Sequence, residues 1–367
     1  MRSIKIGNRE IGPGRPCFII AEAGVNHNGK VDLAIKLIQA AKKAGADVVK
    51  FQTAKPEQVT IAKSPTAKYQ QTNTGETNQL KLIRPLLLPE SDNPKLVEEA
   101  KRIGIMFMST PHGHIASAEF LMNDVPAWKV GSGDLTNLQF LKFLGESKKP
   151  IILSTGMANM VEIKEAVKTI ESTGNKQIII LQCTSMYPTL PKETNVSAMF
   201  DLQKNFPDYP IGYSDHTLGT DAVVLAVALG ATVVEKHFTL NKNMPGPDQK
   251  NSIEPDELKE LVKKIRAVEI MDQSKREKLV AVIPQVKLLM GNGIKKPFAS
   301  ELETAEMARK SVVTVKPIKA GQVITADMLS IKRPERDGLR PKMIKTIIGK
   351  TAKRDIETDS QIQSTDF

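Results

Sequence analysis

Two of the five histidines in this 367-residue chain, His216 and His237, each fall one to three residues past a short apolar run of β type, and an amphipathic stretch separates the two runs. A strand, helix, strand unit built this way delivers two side chains to one rim of a parallel barrel. Two neutral imidazoles bind divalent first-row metals well and leave most coordination positions open to water and substrate. The plainer alternative is a pair of hydrogen-bonded histidines lying beneath the rim.

Other chemistry-bearing residues recur at the same place, just after an apolar run: Glu22, Lys50, Gln52, Thr110, Ser132, Ser154, Thr184, Ser185, Ser214, Asp215 and Glu235. A packed core has no use for such a set, so it reads as a site. The hydroxyls of Thr110, Ser132, Ser154 and Ser214, with the point charges of Lys50 and Lys129, suit a phosphate dianion held without a glycine-rich loop. Singly, each serine reads as a turn or N-cap residue. Lys129 and Lys236 raise a rival chemistry, because a buried lysine at a barrel strand end can form a Schiff base, as in an aldolase. His112 and His114 have HxH spacing, yet Pro111 and Gly113 make that segment a loop and not a strand that would aim both rings one way.

The elements that would position these residues alternate regularly. Strand candidates lie at 17–21, 47–52, 105–109, 128–131, 151–154, 178–183, 211–213 and 232–236, with helix-period segments at 31–44, 94–103, 116–122, 137–146, 160–172, 195–205, 221–229 and 255–268. Eight βα units within about 255 residues predict a (β/α)8 TIM barrel, and no GxGxxG follows the first strand to favour an open dinucleotide-binding sheet. Gly45, Gly104 and Gly230 read as C-caps on the structural rim. The one long connection, from Thr53 to about Asn93, reads as a lid. The pattern divides the chain into a barrel domain (1–272), a linker (273–310) and a small β-rich module (311–367) with strand-like runs SVVTV, QVITADML and MIKTIIGKTA.

Composition narrows the partners. Net charge is +11, and from Arg309 onward thirteen Lys and Arg face seven Asp and Glu. With 4% aromatic residues and no basic run interleaved with stacking side chains, the surplus suits small anions better than nucleic acid. No apolar run has the length of a membrane span and no signal peptide is evident, so a soluble cytoplasmic protein is expected. Cys17 and Cys183 lie inside apolar runs and read as reduced core thiols.

The segments FIIAEAGVNHNG (18–29), GADVVKFQT (45–53), KVGSGDLTN (129–137), ILSTGMA (152–158), LQCTSMYPT (181–189), IGYSDHTLG (211–219) and EKHFTL with MPGPD (235–248) together resemble the sialic acid synthase family, which includes N-acetylneuraminate, legionaminate and pseudaminate synthases. The stretch ARKSVVTVKPIKAGQVITADMLSIKRP (308–334) is similar to the antifreeze-like, or SAF, module of those enzymes. The resemblance implies condensation of phosphoenolpyruvate with the open-chain aldehyde of an N-acyl hexosamine such as N-acetylmannosamine, with phosphate lost by C–O cleavage. It implies that His216 and His237 hold a divalent metal, Mn2+ or Mg2+, that Glu22 transfers protons, and that Glu235 and Gln52 orient substrates. Lys50, Thr110, Lys129, Ser132, Ser154, Ser185 and Ser214 match phosphoenolpyruvate-binding positions, and Tyr187, Asp248 and Arg309 match sugar-binding ones, with Asn73 in the lid a further sugar contact. It also implies a swapped homodimer in which the module caps the other barrel and Arg309 acts in trans. The chain departs from the family pattern at Ser185, often Asn; at His112-Gly113, usually Phe-Asp; and at RPERDGLRP, which is longer than the usual turn. A non-catalytic carbohydrate-binding or ice-structuring protein is the remaining alternative, and it leaves the polar rim unexplained.

Overall fold

A computed structural model describes residues 2–367. All eight predicted strands form one parallel sheet: β1 (Phe18–Gly24), β2 (Val48–Gln52), β3 (Met106–Thr110), β4 (Trp128–Val130), β5 (Ile151–Ser154), β6 (Ile178–Cys183), β7 (Ile211–Asp215) and β8 (Val233–His237). Neighbours in sequence are neighbours in the sheet, β8 pairs with β1, and β3 lies beside β4, so the sheet closes as a barrel. The eight predicted helices fall within three residues of their expected bounds, from Val31–Ala44 to Pro255–Glu269. Gly45, Gly104 and Gly230 all have positive φ where their helices stop.

The period of two along each strand divides the barrel interior by depth. Toward the strand starts, Phe18, Ile20, Val48, Met108, Ile152, Ile179, Leu181 and Val233 meet in one apolar cluster. Toward the strand ends the positions two residues further on in β1, β2 and β8 are Glu22, Lys50 and Glu235, and all three are buried. The register sets these side by side, with His237 opposite Glu22 and Glu22 opposite Lys50. Apolar packing thus fixes the barrel below, and polar groups occupy the same inward stripe above.

Below the cluster, an N-terminal hairpin pairs Ile4–Ile6 with Arg9–Ile11 and adds Ile4, Ile6 and Ile11 to it. Its strands are three residues long, too short to show a period. The 273–310 segment contains helices Gln273–Val282, Val286–Met290 and Ala299–Ala308, and Ile283 and Leu289 enter the main barrel core.

The C-terminal module pairs Ser311–Thr314 with Leu329–Lys332 and is otherwise knit by isolated bridges, such as Ile318 with Ile356 and Val323 with Thr351. Its core gathers Val312, Ile318, Ile324, Ile347, Ile356 and Ile362. The expected strand-like run MIKTIIGKTA begins instead with a 3-10 turn, Pro341–Met343, and a short helix, Ile344–Ile347. Proline opens that turn, and Ile344 and Ile347, three apart, both face the module core, a spacing that suits a helix and not a strand. The module sits over the mouth of its own barrel, with the Ile61 N–H donating to the Arg333 carbonyl and Lys342 paired with Glu165.

Candidate active site

One cavity of about 190 Å3 opens at the C-terminal ends of the strands. Glu22, Lys50, Gln52, Thr110, Lys129, Ser132, Ser154, Ser185, Tyr187, Ser214, His216, Glu235, His237 and Asp248 all line it. They reach it from strands and loops spread through the sequence, which is what a barrel rim does with residues placed at successive strand ends.

The floor is a chain of buried charges. Lys50 Nζ lies 2.6 Å from Glu22 Oε2 and 3.2 Å from Glu235 Oε1, while Glu235 Oε2 meets Lys129 Nζ at 3.0 Å. Lys50 also donates to Thr110 Oγ1 at 3.0 Å and Lys129 to Ser154 Oγ at 2.8 Å. The two carboxylates respond differently. Burial pushes the Glu22 carboxyl up, Lys50 pulls it back, and the Glu235 charge adds to the rise, leaving it above the usual range. Burial acts on Glu235 too, but Lys129 and Lys50 more than offset it and hold that carboxyl at about 2. Carboxyls driven apart in this way divide into a proton carrier and a permanent anion. Gln52 supports the first, donating from Nε2 to Glu22 Oε1 at 3.1 Å while its Oε1 meets His112 Nε2 at 2.9 Å.

The imidazoles of His216 and His237 lie with ring centroids 5.5 Å apart, and Tyr187 packs on His216 at 4.2 Å. His216 Nδ1 donates to the Thr184 carbonyl at 2.8 Å, which sets the tautomer and leaves Nε2 as a lone-pair donor. His237 keeps a buried Nδ1 with no hydrogen-bond partner, and burial and then His216 hold its ring well below the ordinary imidazole range. Ring nitrogens left free in one cavity fit a divalent first-row metal. Among the described residues no group of three or more His, Cys, Asp or Glu gathers as a ligand set, so the two histidines would be joined by substrate or water.

The rest of the list divides. Asp248 has a buried Oδ1 without a partner, and Asn73 ties the lid to the following loop through the Pro247 carbonyl at 2.7 Å. Arg309 does not line the cavity. Its guanidinium forks onto Glu162 at 2.9 and 3.0 Å and donates to the Met157 carbonyl at 2.8 Å, so both terminal nitrogens are engaged within its own chain and only the buried Nε lacks a partner. Lys236 is also outside, on the helix-facing side of β8, where it pairs with Asp215 at 2.5 Å. Lys129 Nζ is tied to the Glu235 carboxylate at 3.0 Å and to Ser154 Oγ at 2.8 Å, contacts that a Schiff base would have to break. His114 precedes the helix Ile115–Leu121 and His112 reaches the cavity wall, so the HxH pair does not converge.

Three contributors were not anticipated. Arg333, from the C-terminal module, lines the cavity with a buried Nε that has no partner. Tyr69, from the lid helix Lys68–Thr74, stacks on Tyr187 at 4.8 Å. The lid also brings Val59, Ile83, Leu86 and Leu87 against Val25 as an apolar wall on the same cavity. Scarce aromatics and a lone KRP arginine were the only available signals, and neither points to a partner by itself.

The profile of the NeuB family matches residues 37–277 and that of the SAF domain matches residues 309–367. The chain is 41% identical to the N,N'-diacetyllegionaminic acid synthase of Campylobacter jejuni over 94% of its length and 98% of that protein. It is 36% identical to the N-acetylneuraminate-9-phosphate synthase of Homo sapiens over 96% of its length and 93% of that protein. The crystal structure of the spore coat polysaccharide biosynthesis protein SpsE from Bacillus subtilis superposes with a TM-score of 0.81 at 34% identity, covering 100% of this chain and 99% of that one. A closed barrel with its polar groups on one rim, a C-terminal module across that rim, and similarity along nearly the full length to relatives named as synthases of sialic and legionaminic acids all agree: the chain belongs to the NeuB family and carries a SAF domain.

Proposed function

We propose that this chain condenses phosphoenolpyruvate with the open-chain form of an N-acyl hexosamine, giving a nine-carbon 2-keto acid and inorganic phosphate. The observation that carries the reading is the joint placement, in one cavity, of a raised carboxyl at Glu22, two buried lysines ringed by hydroxyls, and two imidazoles with free nitrogens.

Each part has a task. Lys129 and Lys50, with the hydroxyls of Thr110, Ser132, Ser154 and Ser214, suit the carboxylate and phosphate of phosphoenolpyruvate. A divalent metal at His216 and His237 would act as a Lewis acid on the sugar aldehyde. As C3 of the enol forms its bond to the aldehyde carbon, protonated Glu22 gives its proton to the aldehyde oxygen. Water then adds at C2 of the resulting cation and passes a proton to the Glu22 carboxylate. The tetrahedral adduct collapses to the ketone: the C–O bond to phosphate breaks, and the hydroxyl proton leaves with the phosphate. Glu235, held ionised by two lysines, stabilises the positive charge that develops at C2. Arg333 and the apolar wall suit the carbonyl and methyl of an N-acyl group, and Asp248 offers its unpartnered oxygen to a sugar hydroxyl.

No helix among the described residues is long and apolar enough to cross a membrane. Exchange of the SAF domain between two copies would bring the same Arg333 to the barrel of a second copy, and light scattering on the purified chain would then report a dimer. The function is tested by phosphate release from phosphoenolpyruvate over a panel of N-acyl hexosamines, free and 6-phosphorylated. Release that needs no sugar, or no release with any of them, would sink the reading.

A further inference from the structure

The helix Ala299–Ala308 and the two residues after it cross the mouth of the barrel and touch it through charged groups. Glu301 is buried; its Oε1 accepts the N–H of Met157 at 2.7 Å and of Ser185 at 2.8 Å, while Oε2 caps its own helix at the Phe298 N–H, 2.9 Å away. Arg309, at the other end of the helix, donates to the Met157 carbonyl at 2.8 Å and is itself braced by Glu162. Lys310, fully buried, pairs with Asp134 at 2.8 Å and donates to the His112 carbonyl. A Cβ at the neighbouring Gly113 would overlap both Asp134 Oδ1 and Lys310 Nζ, so this close approach needs glycine.

The two residues held in this way share an unusual backbone. Met157 has φ +62° and His112 has φ +48°, a left-handed conformation that non-glycine side chains seldom adopt and that persists where surrounding contacts over-determine it. Each lies two or three residues past a rim strand, Met157 after β5 and His112 after β3. The residue before Met157 gives its N–H to Ser132 Oγ at 3.0 Å, and Ser185, the other partner of Glu301, lines the same part of the cavity. An element that merely tethered the SAF domain would have no reason to take both the N–H and the carbonyl of one left-handed residue.

We propose that Glu301, Arg309 and Lys310 are positioning residues that hold Met157 and His112 in their left-handed conformations and thereby place Ser132, Ser154 and Ser185 for the phosphate of phosphoenolpyruvate. The inference rests on the functional reading above and gives Arg309 an indirect role in place of a sugar contact. It is tested on the full chain with Glu301→Ala, Arg309→Ala and Arg309→Lys, by steady-state kinetics in each substrate and by calorimetric titration of phosphoenolpyruvate. Both alanine variants should raise KM and Kd for phosphoenolpyruvate by about tenfold or more and leave KM for the sugar within about twofold. Arg309→Lys, which can still donate to the Met157 carbonyl, should return Kd to within about threefold of wild type. If Glu301→Ala does not fold, the two Arg309 variants carry the comparison. A rise confined to the sugar KM would make Arg309 a direct contact and overturn the inference, as would unchanged phosphoenolpyruvate binding. A wild-type chain that binds no phosphoenolpyruvate would fell the functional reading and this inference together; a wild type that binds, with variants that bind equally, fells the inference alone.

Discussion

Asp248→Asn should make this protein more stable at neutral pH. Asp248 follows the last barrel strand, its Oδ1 is buried without a partner, and burial, then the Glu22 charge, push its carboxyl from 3.8 up to about 6 against a smaller pull from His216. A raised carboxyl means the folded chain keeps a proton that the unfolded chain has released. Stability is therefore highest below the unfolded value and falls as pH rises through the window from about 4 to about 6. At ~1.4 kcal/mol per unit, a rise of roughly two units amounts to ~3 kcal/mol once the carboxylate is ionised. Asparagine keeps the shape and never bears the charge. Urea unfolding followed by fluorescence of the single tryptophan, Trp128, buried in β4, should show the variant ahead by ~3 kcal/mol at pH 8 and nearly level with wild type at pH 4. A variant no more stable at pH 8, or one whose gain is the same at both pH values, would refute the claim that an unpaired carboxylate is held at the sugar end of this cavity. The energetic logic is that of a site carrying unmet polarity until a ligand supplies the missing donor.

Other changes should separate the parts of the site. His216→Ala and His237→Ala should each abolish Mn2+ binding seen by calorimetry while the far-ultraviolet circular dichroism stays that of wild type; tight Mn2+ binding by either variant would contradict the two-histidine set. Glu22→Gln should lower kcat by roughly 10²- to 10⁴-fold, with KM for phosphoenolpyruvate little changed, because it removes the proton carrier and spares the lysines; an undiminished kcat would exclude Glu22 from proton transfer. Lys129→Met strands Glu235 beside Lys50 alone, so thermal unfolding should show a loss of ~3 kcal/mol or more, as for other broken buried pairs. A neutral result would mean that Lys50 compensates.

Much of this architecture could be read from the chain because its signals are local. Each strand end marks where an apolar run of period two turns polar, and Gly45, Gly104 and Gly230 close helices where only a left-handed residue fits. Strand ends point to twelve side chains that share one cavity, and the family resemblance adds Tyr187 and Asp248. What escaped was non-local. The 273–310 segment looked like a linker because only a few apolar side chains, such as Ile283 and Leu289, enter the barrel core, and its last helix docks through Glu301 and the flanking Lys295 and Arg309 without an apolar face. For the same reason Arg309, which matched a sugar-binding position, is found on Glu162, and Arg333, twenty-four residues further on, is the arginine that reaches the cavity. The hairpin at Ile4–Ile11 was missed because three-residue strands carry too little pattern to register.

The central claim is a carbon–carbon bond formed with loss of phosphate by C–O cleavage. Phosphoenolpyruvate labelled with 18O at the bridging oxygen, incubated with the chain, Mn2+ and an N-acyl hexosamine that supports turnover, resolves it in one mass spectrum. The account predicts sugar-dependent release of phosphate that carries the label, matched mole for mole by an unlabelled nine-carbon keto acid. Label retained in the organic product, or labelled phosphate released without sugar, would contradict it.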